Sequence, residues 1–230
     1  MGESVPHDGL TALAATVAEV TATFERMWLD EHSWVDVARG WVDDPEELCT
    51  TLVASTPWQQ GRVWRYERWV DEPRLGSYWR VGDPPPHPAL PDLHRTVQAR
   101  TGVRFDGAAL ALYRDNRDSV AFHRDRELRW LEDTVIGVLS LGARRPWLLR
   151  TRANRYAHEL PNRGATIDLH PASGDLLIMG GRCQTDWEHS VPKVDRRVGP
   201  RVSLQWRWTS RRGRPEVGAN YAAPRNFSRR

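Results

Sequence analysis

The chain has 230 residues, of which 40% are hydrophobic and 27% are charged, and its formal net charge is +3. This composition supports a packed core and excludes a coiled coil or a wholly disordered chain. There is no apolar run of about 18 residues, no signal-peptide pattern at the start, and the two cysteines are too few for a disulfide framework or a thiolate zinc site. We therefore expect a monomeric cytoplasmic protein that has no membrane partner.

The first 40 residues are expected to form a helical extension. Apolar residues from Leu10 to Met27 recur at intervals of three and four, which is typical of one face of an amphipathic helix. This face would pack either on the domain or on a partner. Residues 41–210 are expected to form the main domain, with a lid at about residues 58–90, and residues 211–230 to form a basic tail.

Two further helices are expected inside the main domain. Asp44 is a candidate N-cap, Pro45 suits the first helical position, and Glu47 would complete a capping box. The next helix is expected over residues 91–100, and Gly102 is the residue that would end it.

From about residue 103 the period of the hydrophobic pattern changes from 3.6 to 2. Short apolar runs are separated by turn residues, and these runs are 107–113, 119–123, 134–142, 146–151, 165–170, 175–180 and 201–208. Their number and spacing favour an antiparallel sandwich or barrel over alternating strands and helices.

One of these strands carries candidate metal ligands. Alternation places Val120 and Phe122 on a core face, and it places His123 and Asp125 together on the opposite face. A His-x-Asp triplet is common by chance, but His189 further along the chain is a natural third ligand. Two histidines and one aspartate form a set that favours ferrous iron and leaves coordination positions open.

The last strand has two faces of different character. Its apolar face consists of Val202, Leu204, Trp206 and Trp208, and its polar face consists of Arg201, Ser203, Gln205 and Arg207. Two arginines on one face suit bidentate binding of carboxylates, although a solvent-exposed face would also carry such residues.

The charge distribution bears on the partner. The first 50 residues hold eleven acidic residues and two arginines, whereas residues 196–230 hold ten arginines and one acid. An arginine-rich end is typical of phosphate-binding proteins and equally of a solvated tail. Tryptophan and arginine also alternate over residues 61–69, and both can stack on bases, although they are ordinary strand residues too.

Three segments together resemble the AlkB family of Fe(II)/2-oxoglutarate-dependent dioxygenases. They are ALYRDNRDSVAFHRDRE, GDLLIMGGRCQTDWEHSVPK and PRVSLQWRW. Their residues are most similar to those of the branch of the family that acts on single-stranded nucleic acid. The resemblance implies a mainly β fold with flanking helices (α+β) and a double-stranded β-helix, or jelly-roll, core. It implies oxidative removal of N-alkyl groups from bases, as in repair of 1-methyladenine and 3-methylcytosine. The implied partner is single-stranded DNA or RNA, or a base flipped out of a duplex.

The resemblance also assigns cofactor-binding residues. It implies that Fe(II) is held, and catalysis carried, by His123, Asp125 and His189. It implies that Arg207 pairs with the distal carboxylate of 2-oxoglutarate, that Arg201 lies near its other end and that Tyr113 donates a hydrogen bond. Ala111 and Ser203 stand where the family has asparagines, which removes or shortens hydrogen bonds to the cosubstrate.

For the substrate base, the resemblance implies that Glu127 faces the exocyclic amine. It also implies that the base stacks on His123 and against an aromatic residue of the lid. The candidates for that stacking residue are Trp64, Trp69, Tyr78, Trp79 and Arg80, among which we favour Tyr78. Arg126 occupies a position where relatives often carry an acid, and the lid is shorter than theirs.

Two alternative functions remain open at this stage. One is an Fe(II)/2-oxoglutarate hydroxylase of a small molecule or protein, in which Arg201 and Ser203 form the carboxylate clamp and Arg207 is structural. The other is a non-catalytic nucleic-acid-binding module with a vestigial metal site, although such a module has no need of the complete trio of ligands.

Overall fold

The computed structural model describes residues 23–65, 67–125, 128, 133–152 and 166–210. Its strands are β1 (Phe24–Trp28), β2 (Ser33–Ala38), β3 (Gln59–Arg65), β4 (Arg68–Arg80), β5 (Gly107–Tyr113), β6 (Val120–His123), β7 (Thr134–Gly142), β8 (Leu148–Thr151), β9 (Ile167–Asp168), β10 (Leu176–Gly181), β11 (Trp187–Val191) and β12 (Arg201–Thr209). Its helices are α1 (Pro45–Ser55), α2 (Leu90–Thr101) and the short α3 (Cys183–Asp186).

The strands form two antiparallel sheets. The large sheet has the order β1-β2-β10-β7-β12-β5-β4-β3, and the small sheet has the order β6-β11-β8-β9. Antiparallel order with crossovers between the sheets is the jelly-roll arrangement. The predicted mainly β jelly roll is confirmed.

The central strands of the large sheet are buried on both faces, and β7 shows how their sequence achieves this. Val135 and Leu139 pack with the helices on one side, in a core that also takes in Leu48 and Leu93. Ile136 and its neighbours on the same face pack in a second core toward the small sheet. A strand covered on both faces has no polar face to show, so its sequence reads as a nearly continuous apolar run.

The two predicted helices are present, but one cap differs from the expectation. The second helix ends at Gly102, whose φ of 69° is the left-handed conformation that glycine adopts readily. Asp44 precedes α1 but makes no side-chain capping hydrogen bond. Glu47 accepts a hydrogen bond from Thr51 instead, so the predicted capping box does not form. None of the helices in the described ranges is long and apolar enough to cross a membrane.

The predicted N-terminal helical extension is wrong where the structure describes it. Residues 1–22 lie outside the described residues, but Phe24–Trp28 form β1 and Ser33–Ala38 form β2 of the large sheet. Strand β2 pairs with β10, and Val35 and Val37 lie in the core toward the small sheet. Tertiary pairing overrides the helical spacing at Phe24 and Met27 of β1, whereas Val35 and Val37 of β2 already alternate as in a strand.

Candidate active site

Three side chains with metal-binding groups converge at one edge of the small sheet. His123 ends β6 and His189 lies on β11, directly opposite it in the antiparallel pair. Asp125 lies two residues after His123. Its backbone N–H donates a hydrogen bond to the side-chain oxygen of Gln184 at 2.7 Å. One potential ligand atom from each of His123, Asp125 and His189 lies within 4.8 Å of the others.

A β-bulge directs His123 toward this site. Val191 pairs with Val120 and His189 pairs with His123, so three residue steps on β6 face two steps on β11. Val120 and His123 consequently line the same cavity, although strict alternation had placed them on opposite faces. An extra residue in one strand reverses the alternation beyond it, and such bulges re-aim side chains next to functional sites.

The neighbours of each imidazole fix its orientation. His123 Nδ1 lies 2.9 Å from the carbonyl oxygen of Ala121. Because a carbonyl can only accept, Nδ1 carries the proton and Nε2 is left with its lone pair, which is the usual arrangement of a metal-binding histidine. The ring of His189 stacks on Trp147, with centroids 5.4 Å apart and an interplanar angle of 13°.

The electrostatic surroundings keep all three groups in the protonation states that metal ligands require. Burial raises the pKa of Asp125. The guanidinium of Arg207, 3.0 Å away, and then the two histidines lower this pKa by more than burial raises it, so the net shift is downward. Burial is also the largest cause of the lowered pKa of His123 and of His189. The pKa of His189 falls to about 3. The site therefore offers one carboxylate and two neutral imidazoles at neutral pH.

The lowered pKa of His189 predicts a pH dependence of stability. The unfolded residue binds a proton below its ordinary pKa of 6.5, whereas the folded residue does so only near pH 3. The free energy of unfolding of the metal-free protein should therefore fall as the pH drops through this window, by at most about 1.4 kcal/mol per pH unit from this group. Urea titrations of chelator-treated protein between pH 7 and 4 measure the slope. The variant His189→Gln should flatten it, and equal slopes in both proteins would contradict the prediction.

A cavity extends from the trio into the space between the sheets. Its polar lining includes Arg74, Tyr113, Ser203, Gln205 and Arg207, and its apolar lining includes Val120, Ile136, Val138, Trp147 and Val191. Apolar walls with a few converging polar groups are typical of small-molecule sites.

Behind this cavity lies a buried cation without a counter-charge. Arg201 is 1% exposed, and it donates hydrogen bonds to Ser203 Oγ at 2.6 Å and to Ser140 Oγ at 2.8 Å. Within the described part of the chain its Nε has no hydrogen-bond partner and no acidic side chain pairs with it. Burial lowers its pKa to about 10, which leaves it charged at neutral pH. An unpaired buried guanidinium is suited to an incoming carboxylate.

The positions of the two arginines differ from the order expected from the sequence. Arg207 was expected at the distal carboxylate of the cosubstrate, but its Nε donates to Asp125 Oδ2. It therefore lies at the metal end of the cavity, and Arg201 lies deeper. The contact with Asp125 places Arg207 beside a candidate ligand, whereas the contact of Arg201 with Ser203 joins the two residues that the alternative hydroxylase function assigned to the carboxylate clamp.

Most of the expected substrate-binding residues are not at the cavity. Trp79 is 5% exposed in the core beside the helices, and its Nε1 donates to the carbonyl of Asp83, so its assignment to base stacking is wrong. Because side chains alternate along β4, Trp79 points away from the face that carries Arg74 and borders the cavity. Tyr78 shares that face with Arg74 but does not line the cavity, and Arg80 is exposed at the end of the strand. Glu127 and Arg126 lie outside the described residues.

Sequence reasoning missed two residues of the cavity wall. Arg74 of β4 donates from Nη1 to the Tyr113 hydroxyl at 3.2 Å, and Trp147 covers His189. The sequence around neither residue indicates that it lies at the site. Arg74 comes just before the segment of β4 that pairs with β5, and Trp147 comes just before the short strand β8. Only the pairing of distant strands brings them to the site.

The donor set fits ferrous iron and a dicarboxylate. Two imidazole nitrogens and one carboxylate form the facial arrangement that leaves positions open for further ligands. The orphaned Nε of the buried Arg201 supplies the cation that a second carboxylate requires. The residues present therefore match an iron ion together with 2-oxoglutarate.

Comparison with known proteins agrees with this chemistry. A family model described as the 2OG-Fe(II) oxygenase superfamily matches residues 36–214. The human and bovine proteins named alpha-ketoglutarate-dependent dioxygenase alkB homolog 3 are 31% and 30% identical over 70% and 76% of this chain. The match spans 59% and 66% of those proteins' lengths. The bovine protein named DNA oxidative demethylase ALKBH2 is 33% identical over 53% of this chain and 45% of its own length.

Solved structures show the same fold. A prolyl hydroxylase from Trichoplax adhaerens, in complex with a peptide fragment of hypoxia inducible factor, matches with a TM-score of 0.55 and 13% identity over 76% of this chain and 83% of its own. A prolyl-4-hydroxylase from Pseudomonas putida matches with a TM-score of 0.50 and 16% identity over 78% and 94%. At this level of identity the likeness concerns the fold alone.

Proposed function

We propose that this protein is an oxidative demethylase of nucleic-acid bases. The proposal starts from its family: the chain belongs to the 2OG-Fe(II) oxygenase superfamily and, within it, to the AlkB family. The observation that carries the proposal is the trio of His123, Asp125 and His189 on one cavity with the unpaired Arg201 behind it. The relative named as a DNA oxidative demethylase supports an alkylated base as the substrate.

In this proposal His123, Asp125 and His189 hold Fe(II). Bound iron together with 2-oxoglutarate supplies the oxidation of an N-alkyl carbon by O2, after which the hydroxylated alkyl group leaves as an aldehyde. Arg207 keeps Asp125 ionised, and the carbonyl of Ala121 keeps the proton of His123 on Nδ1. These contacts orient the ligands before the cosubstrate binds.

In this proposal the cosubstrate roles of the two arginines are exchanged relative to the expectation from the sequence. Arg201 would bind the distal carboxylate, since it is the deeper cation and has no acidic partner in the described structure. Ser203 supports the Arg201 guanidinium with its hydroxyl, 2.6 Å away. Arg207 would act at the metal end, beside Asp125, while Tyr113 and Arg74 close the wall between them.

The nucleic-acid strand is proposed to contact the hairpin of β3 and β4. Trp64 and Trp69 pair across the hairpin with their ring centroids 5.6 Å apart, and each is 57% exposed. Two adjacent exposed aromatic rings form a contiguous apolar surface, which suits an interaction site, and a base can stack on such a ring. A base must also leave any duplex before its alkyl group can reach a buried metal centre.

This stacking predicts an effect on binding. The variant in which Trp64 and Trp69 are both alanine should bind a single-stranded oligonucleotide about 10-fold or more weakly, because each lost base stack is worth roughly 1–3 kcal/mol. Fluorescence anisotropy measures the affinity. Trp28→Ala is the matched control, since Trp28 is 60% exposed at the opposite edge of the large sheet. An equal loss in both variants would contradict a specific role for the hairpin.

Turnover tests the proposed function. Oligonucleotides that carry 1-methyladenine or 3-methylcytosine, single-stranded and double-stranded, are incubated with the protein, Fe(II), ascorbate and 2-oxoglutarate. Mass spectrometry should show the loss of one methylene mass from the oligonucleotide with matching formation of succinate, faster on the single strand. Succinate formation that no oligonucleotide stimulates would point to a different substrate class, and no succinate at all would overturn the proposal.

A further inference from the structure

Arg145 is a fully buried arginine outside the trio of ligands, and it connects separate loops. It lies between β7 and β8 and is 0% exposed. Its Nη1 donates to the carbonyl of Asp115 at 2.9 Å, and its Nη2 donates to the carbonyls of Asp118 at 2.9 Å and Pro192 at 2.6 Å. The guanidinium also lies 6.0 Å from the ring centroid of Tyr113 in the cavity wall.

A buried guanidinium of this kind requires an explanation. No acidic side chain in the described ranges forms an ion pair with Arg145, since the nearby Asp115 and Asp118 pair with Arg117 and Arg114; burial lowers the pKa of Arg145 more than the charges around it raise that pKa. A buried charge that forms no direct ion pair is unfavourable in a protein interior, where an apolar residue of the same size is normally better. Arginine differs from an apolar residue in its planar fork of five N–H groups, which can hold several carbonyls of different segments in one fixed geometry.

The carbonyls that Arg145 binds bracket the two strands that carry the imidazoles. Asp118 lies two residues before β6, which ends at His123, and Pro192 directly follows β11, which carries His189. These strands share two register pairs with a bulge between them, and the bulge locally interrupts the ladder that joins them. Arg145 adds a fixed connection at the end of the ladder that is remote from the imidazoles.

Two more hydrogen bonds join the same loops. Asn116 Nδ2 donates to the carbonyl of Val194 at 3.1 Å, and the backbone N–H of Val194 donates to the carbonyl of Asn116 at 3.2 Å. The connection between the loops is therefore built from several contacts, with Arg145 as its buried centre.

We propose that Arg145 is a positioning residue for the metal centre, which sets the distance between His123 and His189 by holding the start of β6 against the end of β11. The inference rests on the proposed function, because it presumes that the two imidazoles bind one ion. It predicts that Arg145 governs metal affinity although it contacts no ligand to the metal.

The test measures metal binding directly. Mn²⁺ is titrated into metal-free protein, and the electron paramagnetic resonance signal of the free ion gives the affinity. Arg145→Met should bind Mn²⁺ about 10- to 100-fold more weakly, the range seen when residues that orient metal ligands are removed. Arg145→Lys, which can still donate to several carbonyls, should recover part of the affinity.

A matched control separates positioning from stability. Arg39 also ties distant segments, with Nη1 on Asp175 at 2.7 Å and Nη2 on the carbonyl of Leu169 at 2.9 Å, but it lies away from the trio. Arg39→Met should lower the melting temperature without changing the Mn²⁺ affinity. Should Arg145→Met fail to fold, Asn116→Ala weakens the same connection more mildly and should reduce the affinity several-fold.

The outcomes distinguish this inference from the proposed function. Wild-type protein that binds no Mn²⁺ would overturn both. Wild-type protein that binds Mn²⁺, with unchanged affinity in folded Arg145→Met or in Asn116→Ala, would overturn only the positioning role. Equal losses in the Arg145 and Arg39 variants would also overturn it, since they would indicate a general effect of stability.

Discussion

Replacing Asp125 with alanine is expected to lower metal affinity by more than about 100-fold and to reduce demethylation to background. Asp125 is the one anionic member of the trio, and it is 6% exposed between two neutral imidazoles and Arg207. Its removal leaves two neutral donors beside an uncompensated guanidinium, an arrangement that repels a divalent cation. Free Mn²⁺ measured by paramagnetic resonance, and methyl loss measured by mass spectrometry, check the two parts of the prediction.

Asp125→Asn is the matched variant for this experiment. It keeps the size of the side chain and an oxygen near Arg207 while removing the charge, so it should fold as the wild type does and still bind metal poorly. Circular dichroism confirms the fold. Demethylation at a wild-type rate in either variant would exclude Asp125 as a metal ligand.

The second large effect is expected at Arg201. Arg201→Met should raise the KM for 2-oxoglutarate by about 100-fold or more, because charge-assisted hydrogen bonds to a shielded carboxylate contribute roughly 1.5–3 kcal/mol each. At saturating 2-oxoglutarate the kcat should change much less. The melting temperature should change little, since methionine replaces a buried cation that has no counter-ion in the described structure but also removes its hydrogen bonds to the buried Ser203 and Ser140 hydroxyls.

Arg207→Met is the comparison that locates the two ends of the cavity. Because the hydrogen bond from Arg207 fixes the orientation of the Asp125 carboxylate, its loss should weaken metal binding by about 10-fold, while the KM for 2-oxoglutarate at saturating iron changes less than in Arg201→Met. Succinate formation at varied iron and varied 2-oxoglutarate separates the two effects. A larger change of this KM in Arg207→Met than in Arg201→Met would restore the order expected from the sequence.

Much of the fold could be predicted because its central strands have strong patterns. Strands β5 and β7 have the bounds expected from their apolar runs, and the alternation of β12 correctly separates the buried Val202 and Leu204 from the polar face. The N-terminal strands could not be predicted in this way. Phe24 and Met27 of β1 continue the helical spacing of the residues before them, and only the pairing of β1 with β2 and of β2 with β10 determines the conformation of this segment.

The site shows the same division between local and long-range information. His123, Asp125 and His189 were expected together, and the structure brings them within 4.8 Å. The face on which His123 lies was mistaken, because a bulge depends on the register of the partner strand and leaves no local pattern. The order of Arg201 and Arg207 along the cavity likewise follows from where β12 passes Asp125, which spacing alone does not determine.

Anomalous X-ray diffraction at the iron absorption edge tests the central claim most directly, on crystals grown without oxygen in the presence of Fe(II) and 2-oxoglutarate. The account predicts a single strong peak at bonding distance from His123, Asp125 and His189, with density for the dicarboxylate reaching from that peak to Arg201. A peak elsewhere in the molecule, or a dicarboxylate bound away from Arg201, would contradict it.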